Sequence, residues 1–277
     1  AILVRSALIT SSIIENAPLL KVVSRHGVGF NSVDIQALTA RRIPLTIAVG
    51  GNAVSVAEHT LYLILALAKQ GQRYDTAARQ GDFNFRDAPI AREIDTSQLL
   101  VIGFGRIGTQ VTRRALAFGM AVHVYDPYVP DRAIQDQAAH VVRNLHDALP
   151  HMDIVSVHCP LNEETKNLIG NRELNLMKPN ALLINTARGG IVDESALHSA
   201  LIQGTIAGAG IDVFVIEPTI PTLNLLELEN VVVSPHCAGV TVESSARTAC
   251  IAAQNTLNGL DFTLDEAFVV NREVLHN

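Results

Sequence analysis

The sequence predicts an α/β protein built on a doubly wound parallel sheet, and three observations carry that expectation. Strand-like and helix-like patterns alternate along almost the whole chain, as parallel strands joined by crossover helices require. The stretch Leu99-Leu100-Val101-Ile102-Gly103-Phe104-Gly105-Arg106-Ile107-Gly108 reads as strand, glycine turn and helix. A second strand, Val122-His123-Val124-Tyr125, then ends on a carboxylate, Asp126.

The glycine spacing has a mechanical meaning in that setting. Gly103 would make the tight turn, Gly105 would let a pyrophosphate approach the backbone, and Gly108 would let helix and strand pack closely. The free N–H groups of a helix starting near Arg106 and Ile107 would face the phosphates. Asp126 lies where an acid accepts the ribose hydroxyls of NAD and would repel the 2′-phosphate of NADP. The next basic residue, Arg132, is not adjacent to it, so NAD is the expected cofactor. A purely structural glycine turn is the plainer alternative; the flanking strands, the helix and the terminal acid all count against it.

The elements follow in order. Ile2-Leu3-Val4, Leu20 to Ser24 and Pro44 to Ile47 form a first block of strands, with a helix over Asp34–Arg41 between the last two. Val54–Lys69 is a long helical pattern, with Gly50-Gly51-Asn52 before it and Gly71 after it as breakers. Gln72–Thr96 is polar and is expected to be irregular. The large block follows, with strands at Leu99–Ile102, Ala121–Tyr125, Ile154–Val157, Ala181–Asn185, Gly208–Val213 and Val231–Val233. Gly119 stops the first helix of that block, Asp193 is a plausible N-cap for a later one, and Gly204 ends it. A helical run over Glu243–Leu257 and a short tail remain.

Composition excludes several classes. The 277 residues are ample for two domains, and the net charge of −6 leaves no basic patch for a nucleic acid. The apolar helical run Leu61–Ala68 is far too short to span a bilayer. Ala1-Ile2-Leu3-Val4 looks like a strand rather than a targeting segment. The 3 cysteines, Cys159, Cys237 and Cys250, show no C-x-x-C spacing, which suits a reduced cytoplasmic protein and offers no metal site.

Ligands of such sheets bind beyond the carboxyl ends of the strands. Three ionisable residues follow three successive strands there: Arg188 in Asn185-Thr186-Ala187-Arg188-Gly189-Gly190, Glu217 before Pro218, and His236 in Ser234-Pro235-His236. Singly, Arg188 reads as a surface cation, Glu217 as a helix-entry acid and His236 as a turn residue. Their placement on one ligand edge makes them candidates for shared chemistry.

These residues complete a resemblance to the D-isomer-specific 2-hydroxyacid dehydrogenases that covers nearly the whole chain. It is carried by Arg25-His26-Gly27-Val28-Gly29, Ser55-Val56-Ala57-Glu58-His59-Thr60, the glycine motif at 103–108 and Tyr125-Asp126-Pro127. His158-Cys159-Pro160-Leu161, Thr186-Ala187-Arg188-Gly189-Gly190 and Ser234-Pro235-His236 continue it. The fold it implies is a Rossmann nucleotide domain, residues 50–239, inserted in a smaller flavodoxin-like substrate domain formed by residues 1–49 and 240–277. Family members carry further residues before the strand that matches Ala1–Val4, so an N-terminal part is expected to be missing.

The resemblance also implies site roles. Arg188 would clamp the carboxylate and carbonyl of a 2-oxo acid through its planar fork. His236 would be the acid–base, since an imidazole titrates near neutrality, and Glu217 would fix its tautomer. Cys159, Pro160, Thr165, Thr186, Ala187 and Asp212 match positions that line the cofactor, with Asp212 near the nicotinamide. Gly27, Val28 and Gly29 would offer backbone N–H groups to the substrate carboxylate. Arg25 matches a basic residue of the phosphoglycerate dehydrogenase branch, where it meets a second anion; a plain surface arginine is the alternative.

Ala48-Val49-Gly50-Gly51-Asn52 departs from the family's usual loop, and Glu217 stands where formate-oxidising relatives carry glutamine, which argues against formate. Phosphoglycerate, hydroxypyruvate and glyoxylate head the substrate candidates, and pairing of protomers through the nucleotide domain implies a homodimer. An NAD-sensing corepressor-like binding protein shares the fold and the same Arg, Glu and His, and is the rival reading.

Overall fold

The computed structural model describes residues 1–87, 89–219 and 224–276. The chain forms two compact units, a continuous one at Ser55–Gly239 and a discontinuous one made of Ala1–Val54 and Val240–Asn277.

The discontinuous unit begins with β1 (Ile2–Val4), α1 (Ser11–Glu15), β2 (Val23–Arg25), α2 (Ile35–Ala40) and β3 (Leu45–Ile47). The strands pair in parallel in that order, around a core that includes Ile14, Val23, Leu38 and Leu45. α2 starts where the sequence predicts because the Asp34 carboxylate accepts the Ala37 N–H at 2.9 Å.

The chain then runs through α3 (Ala53–Ala68), α4 (Gly71–Gln80), β4 (Gln98–Ile102), α5 (Arg106–Ala117) and β5 (Ala121–Tyr125). α6 (Asp131–Gln135), β6 (His140–Val141), α7 (Leu145–Ala148), β7 (Ile154–Val157) and α8 (Asn171–Leu176) follow. The continuous unit finishes with β8 (Leu182–Asn185), α9 (Glu194–Ile202), β9 (Gly208–Ile211) and β10 (Val231–Val233). Its seven strands are all parallel, in the order β10-β9-β8-β7-β4-β5-β6. Both faces of the sheet are covered, so its strands alternate between two apolar cores rather than between core and water. Leu100, Ile102, Val155 and Val157 pack with α8 and α9 residues such as Leu174 and Leu197. Leu99, Val101, Ile154 and Ile184 pack with Leu61, Ile64, Val111 and Ala115 of α3 and α5.

Strand order reverses between β4 and β7, which makes the carboxyl ends of those two strands the crevice for a ligand. α10 (Val242–Leu260) then returns the chain to the discontinuous unit. Thr241 caps it, accepting the Ser244 N–H at 3.1 Å, while Ser244 Oγ accepts the Thr241 N–H at 2.9 Å.

Three expectations are corrected. Gln72–Thr96 is not simply irregular: it holds most of α4 and a 3₁₀ turn at Phe83–Asp87. α4 buries only Ala77 and is polar nearly all round, so it shows no apolar stripe to betray it. Gly71, expected as a stop after α3, instead opens α4 directly behind Gln70, whose φ of 53° turns the chain. The large sheet also has a strand beyond the expected set, β6, a two-residue edge strand too short to leave a periodic signal.

Candidate active site

The glycine turn leaves β4 at the reversal point. Gly103 has φ +95°, and a Cβ placed on it would lie 2.6 Å from the Cys159 nitrogen, so only glycine lets the turn approach the loop after β7. A Cβ on Gly108 would lie 2.0 Å from the Gly103 carbonyl oxygen, which is why α5 can start so close to β4. A Cβ on Gly105, the N-cap of α5, would meet no protein atom within 4 Å. Arg106 and Ile107 lie in the first turn of α5, where helix geometry leaves the backbone N–H groups without a partner inside the helix. These features fit a dinucleotide pyrophosphate.

Asp126 follows β5 and is tied to the same turn. Its Oδ2 accepts the Phe104 N–H at 2.7 Å, and its Oδ1 accepts the N–H groups of Tyr128 at 2.9 Å and Val129 at 3.2 Å. Across the crevice, Cys159 and Pro160 leave β7. Burial pushes the Cys159 thiol up to about 11. Thr165 Oγ1 donates to the Pro160 carbonyl at 2.6 Å and closes the loop behind them. His158, just before, bonds through Nε2 to Ser156 Oγ at 2.8 Å, while its buried Nδ1 has no partner among the described residues.

The loop after β8 carries Thr186, Ala187 and Arg188. Buried Asn185 braces it from both sides: its Oδ1 accepts the Ala187 N–H at 3.0 Å and its Nδ2 donates to the Arg188 carbonyl at 2.9 Å. Thr186 Oγ1 lies 3.0 Å from Thr60 Oγ1 of α3. Arg188 donates from Nη1 to the Ala187 carbonyl at 2.6 Å. Burial lowers its guanidinium below the usual value, and the charge of Glu217 opposes that shift. Gly189 lets this loop touch the one after β9, since a Cβ there would lie 2.0 Å from the Phe214 carbonyl carbon.

That second loop delivers Glu217, whose Oε1 accepts the Phe214 N–H at 2.9 Å and whose Oε2 lies 2.6 Å from His236 Nδ1. A carboxylate can only accept, so Nδ1 carries the proton in this pair and Nε2 is the open position of the neutral ring. His236 has φ +52°, a left-handed backbone that costs a residue with a Cβ about 1–2 kcal/mol.

Asp212 supports that backbone. It is 1% exposed, and its Oδ1 accepts from Ser234 Oγ at 2.6 Å and the Cys237 N–H at 2.9 Å. Its Oδ2 accepts the Ala238 N–H at 2.9 Å, and its own carbonyl accepts the His236 N–H at 2.8 Å. His59, Asp212 and Cys237 offer ligand atoms within 4.8 Å of one another. The Asp212 oxygens are committed to these hydrogen bonds, and burial and Asp212 raise the Cys237 thiol, so this donor set suits a closed network better than a cation.

Arg25, Gly27, Val28 and Gly29 belong to the discontinuous unit, at the carboxyl end of β2. Arg25 Nη1 donates to the His26 carbonyl at 2.9 Å, and the Gly27 carbonyl accepts the Ala48 N–H at 2.8 Å. Sequence reasoning singled out neither the bracing by Asn185 nor the bonds of Ser234 and His59 behind His236. A polar residue closing the apolar run Leu182-Leu183-Ile184 is the one local signal that could have pointed to Asn185.

The profile described as "D-isomer specific 2-hydroxyacid dehydrogenase, NAD binding domain" matches residues 61–238. The D-3-phosphoglycerate dehydrogenase of Methanocaldococcus jannaschii is 38% identical over 247 residues, 89% of this chain and 47% of that protein. The glyoxylate reductase of Korarchaeum cryptofilum is 37% identical over 252 residues, 90% of this chain and 76% of that protein. The solved structure of Aquifex aeolicus D-lactate dehydrogenase complexed with NAD and lactic acid superposes with a TM-score of 0.86 at 31% identity, covering 98% of this chain and 87% of that one. The chain spans about half the length of the phosphoglycerate dehydrogenases it matches.

Proposed function

The chain belongs to the D-isomer-specific 2-hydroxyacid dehydrogenases, and from that membership we propose that it transfers a hydride between NAD(H) and a small D-2-hydroxyacid and its 2-oxo counterpart. The observation that carries the reading is the 2.6 Å contact of Glu217 Oε2 with His236 Nδ1, which leaves Nε2 for substrate.

NADH, when bound, supplies the hydride. The turn Gly103–Gly108 with Arg106 and Ile107 would hold the pyrophosphate, and Asp126 would take the ribose hydroxyls. Cys159, Pro160, Thr165, Thr186, Ala187 and Asp212 would line the cofactor, Asp212 toward the nicotinamide. Arg188 grips the 2-oxo acid with the N–H groups that Ala187 does not occupy, fixing the carboxylate and polarising the ketone. In reduction, His236 protonated on both nitrogens gives its Nε2 proton to the ketone oxygen and keeps the one on Nδ1; in oxidation the neutral ring takes the hydroxyl proton on Nε2. Glu217 holds the ring in the tautomer and orientation both directions need.

Gly27, Val28 and Gly29 are assigned to the substrate carboxylate and Arg25 to a second anion, which puts phosphohydroxypyruvate beside hydroxypyruvate and glyoxylate among the substrates. We also infer a homodimer formed through the continuous unit, where Tyr62 and Phe118 are 52% and 46% exposed beside Leu61 and Leu65. We further propose a cytoplasmic location, with which the free Cys159, Cys237 and Cys250 are in keeping. No helix of the described residues is long and apolar enough to cross a membrane.

The test is NADH oxidation by the purified protein against glyoxylate, hydroxypyruvate and phosphohydroxypyruvate. Turnover with one of them is the expected result. NADH binding without turnover across the panel would move the reading to an NAD-responsive binding protein.

A further inference from the structure

His59 lies two turns into α3 and takes no part in the proton transfer, yet it is bonded into the support of the His236 turn. Its Nε2 is 2.8 Å from Ser234 Oγ, 175 residues away in sequence. The direction of that bond follows from proton counting. Ser234 has one hydroxyl proton, and at 2.6 Å it goes to Asp212 Oδ1, a buried carboxylate that can only accept. His59 must therefore donate, and its proton sits on Nε2.

We infer that His59 is a positioning residue for the acid–base His236, acting through Ser234 and Asp212. The chain of donors runs His59 to Ser234 to Asp212. The same carboxylate takes the N–H groups of Cys237 and Ala238, which brackets the left-handed His236 from its C-terminal side. The His236 N–H on the Asp212 carbonyl closes it from the other. Without the imidazole, Ser234 Oγ keeps only the Cys237 thiol beside it, a weak donor on its own loop, and its rotamer is no longer set by α3. Asp212 then loses an oriented partner, and the turn that holds the imidazole against Glu217 loosens. Burial lowers the pKa of His59, against the raising effect of the Asp212 charge. The ring also stacks at a tilt on Tyr62 at 5.4 Å, which fixes its plane toward Ser234.

The inference rests on the dehydrogenase reading for its kinetic part, so the experiment has a second readout that does not. His59→Phe keeps a ring beside Tyr62 and removes the donor; His59→Gln places an amide N–H where Nε2 stood. Hydrogen exchange followed by mass spectrometry is expected to show faster exchange over residues 236–238 in His59→Phe, with wild-type protection restored in His59→Gln. Steady-state kinetics are expected to show kcat down by roughly tenfold or more in the Phe variant with KM for the 2-oxo acid nearly unchanged, as a misoriented reacting group predicts. Ser234→Ala should reproduce the loss, and adding His59→Phe to it should cost little more, because both cut one chain.

Equal exchange and equal kcat in His59→Phe and wild type overturn the inference. So does a loss that adds in full to that of Ser234→Ala, or one that glutamine does not relieve. If the wild-type protein reduces no 2-oxo acid, the dehydrogenase reading falls, and the exchange comparison still decides whether His59 holds the turn.

Discussion

His236 and Glu217 stand 19 residues apart in sequence, yet Nδ1 of one lies 2.6 Å from Oε2 of the other. Each arrives on a different loop at the carboxyl edge of one parallel sheet, and each loop is fixed by its own backbone bonds, Phe214 N–H to Glu217 Oε1 and His236 N–H to the Asp212 carbonyl. The chain's own bonds therefore bring the two together.

His236→Gln keeps a polar side chain in the turn and removes the group that exchanges a proton. Turnover is expected to fall by ~10²–10⁴-fold while NADH affinity, measured by fluorescence titration, persists. Near-normal turnover would remove His236 from the acid–base role.

Arg188→Lys retains the charge and loses the planar fork. Both kcat and the affinity for the 2-oxo acid are expected to drop, lowering kcat/KM by roughly a hundredfold. An unchanged specificity constant would mean that Arg188 does not hold the substrate.

Asp126→Ser should narrow the preference for NAD over NADP, read as the ratio of kcat/KM for the two cofactors. Because the carboxylate also accepts three backbone N–H groups, the same change is expected to cost about 1–3 kcal/mol of stability. A cofactor ratio that does not move would pass the discrimination to another residue.

Gly108→Ala puts a methyl group 2.0 Å from the Gly103 oxygen, a backbone atom with no room to retreat. We expect a loss of about 1–3 kcal/mol in denaturant unfolding, together with weaker NADH binding as the phosphate turn is pushed open. Wild-type values for both would mean that α5 can shift away without cost.

His158 makes stability fall in acid. Burial pushes its pKa down from 6.5 to about 3. Above about pH 6.5 the ring is neutral whether the chain is folded or not, and His158 contributes no pH dependence. Below that the unfolded chain takes up the proton first, so stability drops by up to about 1.4 kcal/mol per pH unit until the folded ring protonates as well. Melting curves between pH 7 and 4.5 should show this slope in the wild type and a shallower one in His158→Gln. Parallel curves would show that the ring titrates freely in the native state.

Much of this molecule was legible in its sequence because the relevant signals are local. Asp34 and Asp193 cap helices within three residues of where their side chains reach, and the sequence marks Asp193 as a cap and Asp34 as a helix start. The strand ends that carry Gly103, Asp126, Arg188 and His236 could be read for the same reason, since each follows an apolar run within four residues. α4 was not legible, for it buries one alanine and has no apolar face to count. Neither was the network behind His236: the bonds from His59 to Ser234 and from Ser234 to Asp212 span 175 and 22 residues, and nothing near any of the three announces its partner.

The split of the discontinuous unit has a consequence for the chain as it is made. Ser24 Oγ donates to the Ala252 carbonyl, Asn255 Nδ2 to the Ile47 carbonyl, and the Leu45 N–H to Asn271 Oδ1, so β2 and β3 are completed by residues from the far end of the sequence. At ribosomal rates of about 5–20 residues per second, the interval between Val54 and Val242 lasts roughly 10–40 s. Throughout that interval the whole seven-stranded sheet can be translated and can fold, while β1, β2 and β3 wait without α10. Birth order and sealing order are thus reversed: β1, β2 and β3 are made before the seven-stranded sheet but closed after it, and Val22, against which Gly259 packs, stays open until α10 has been translated.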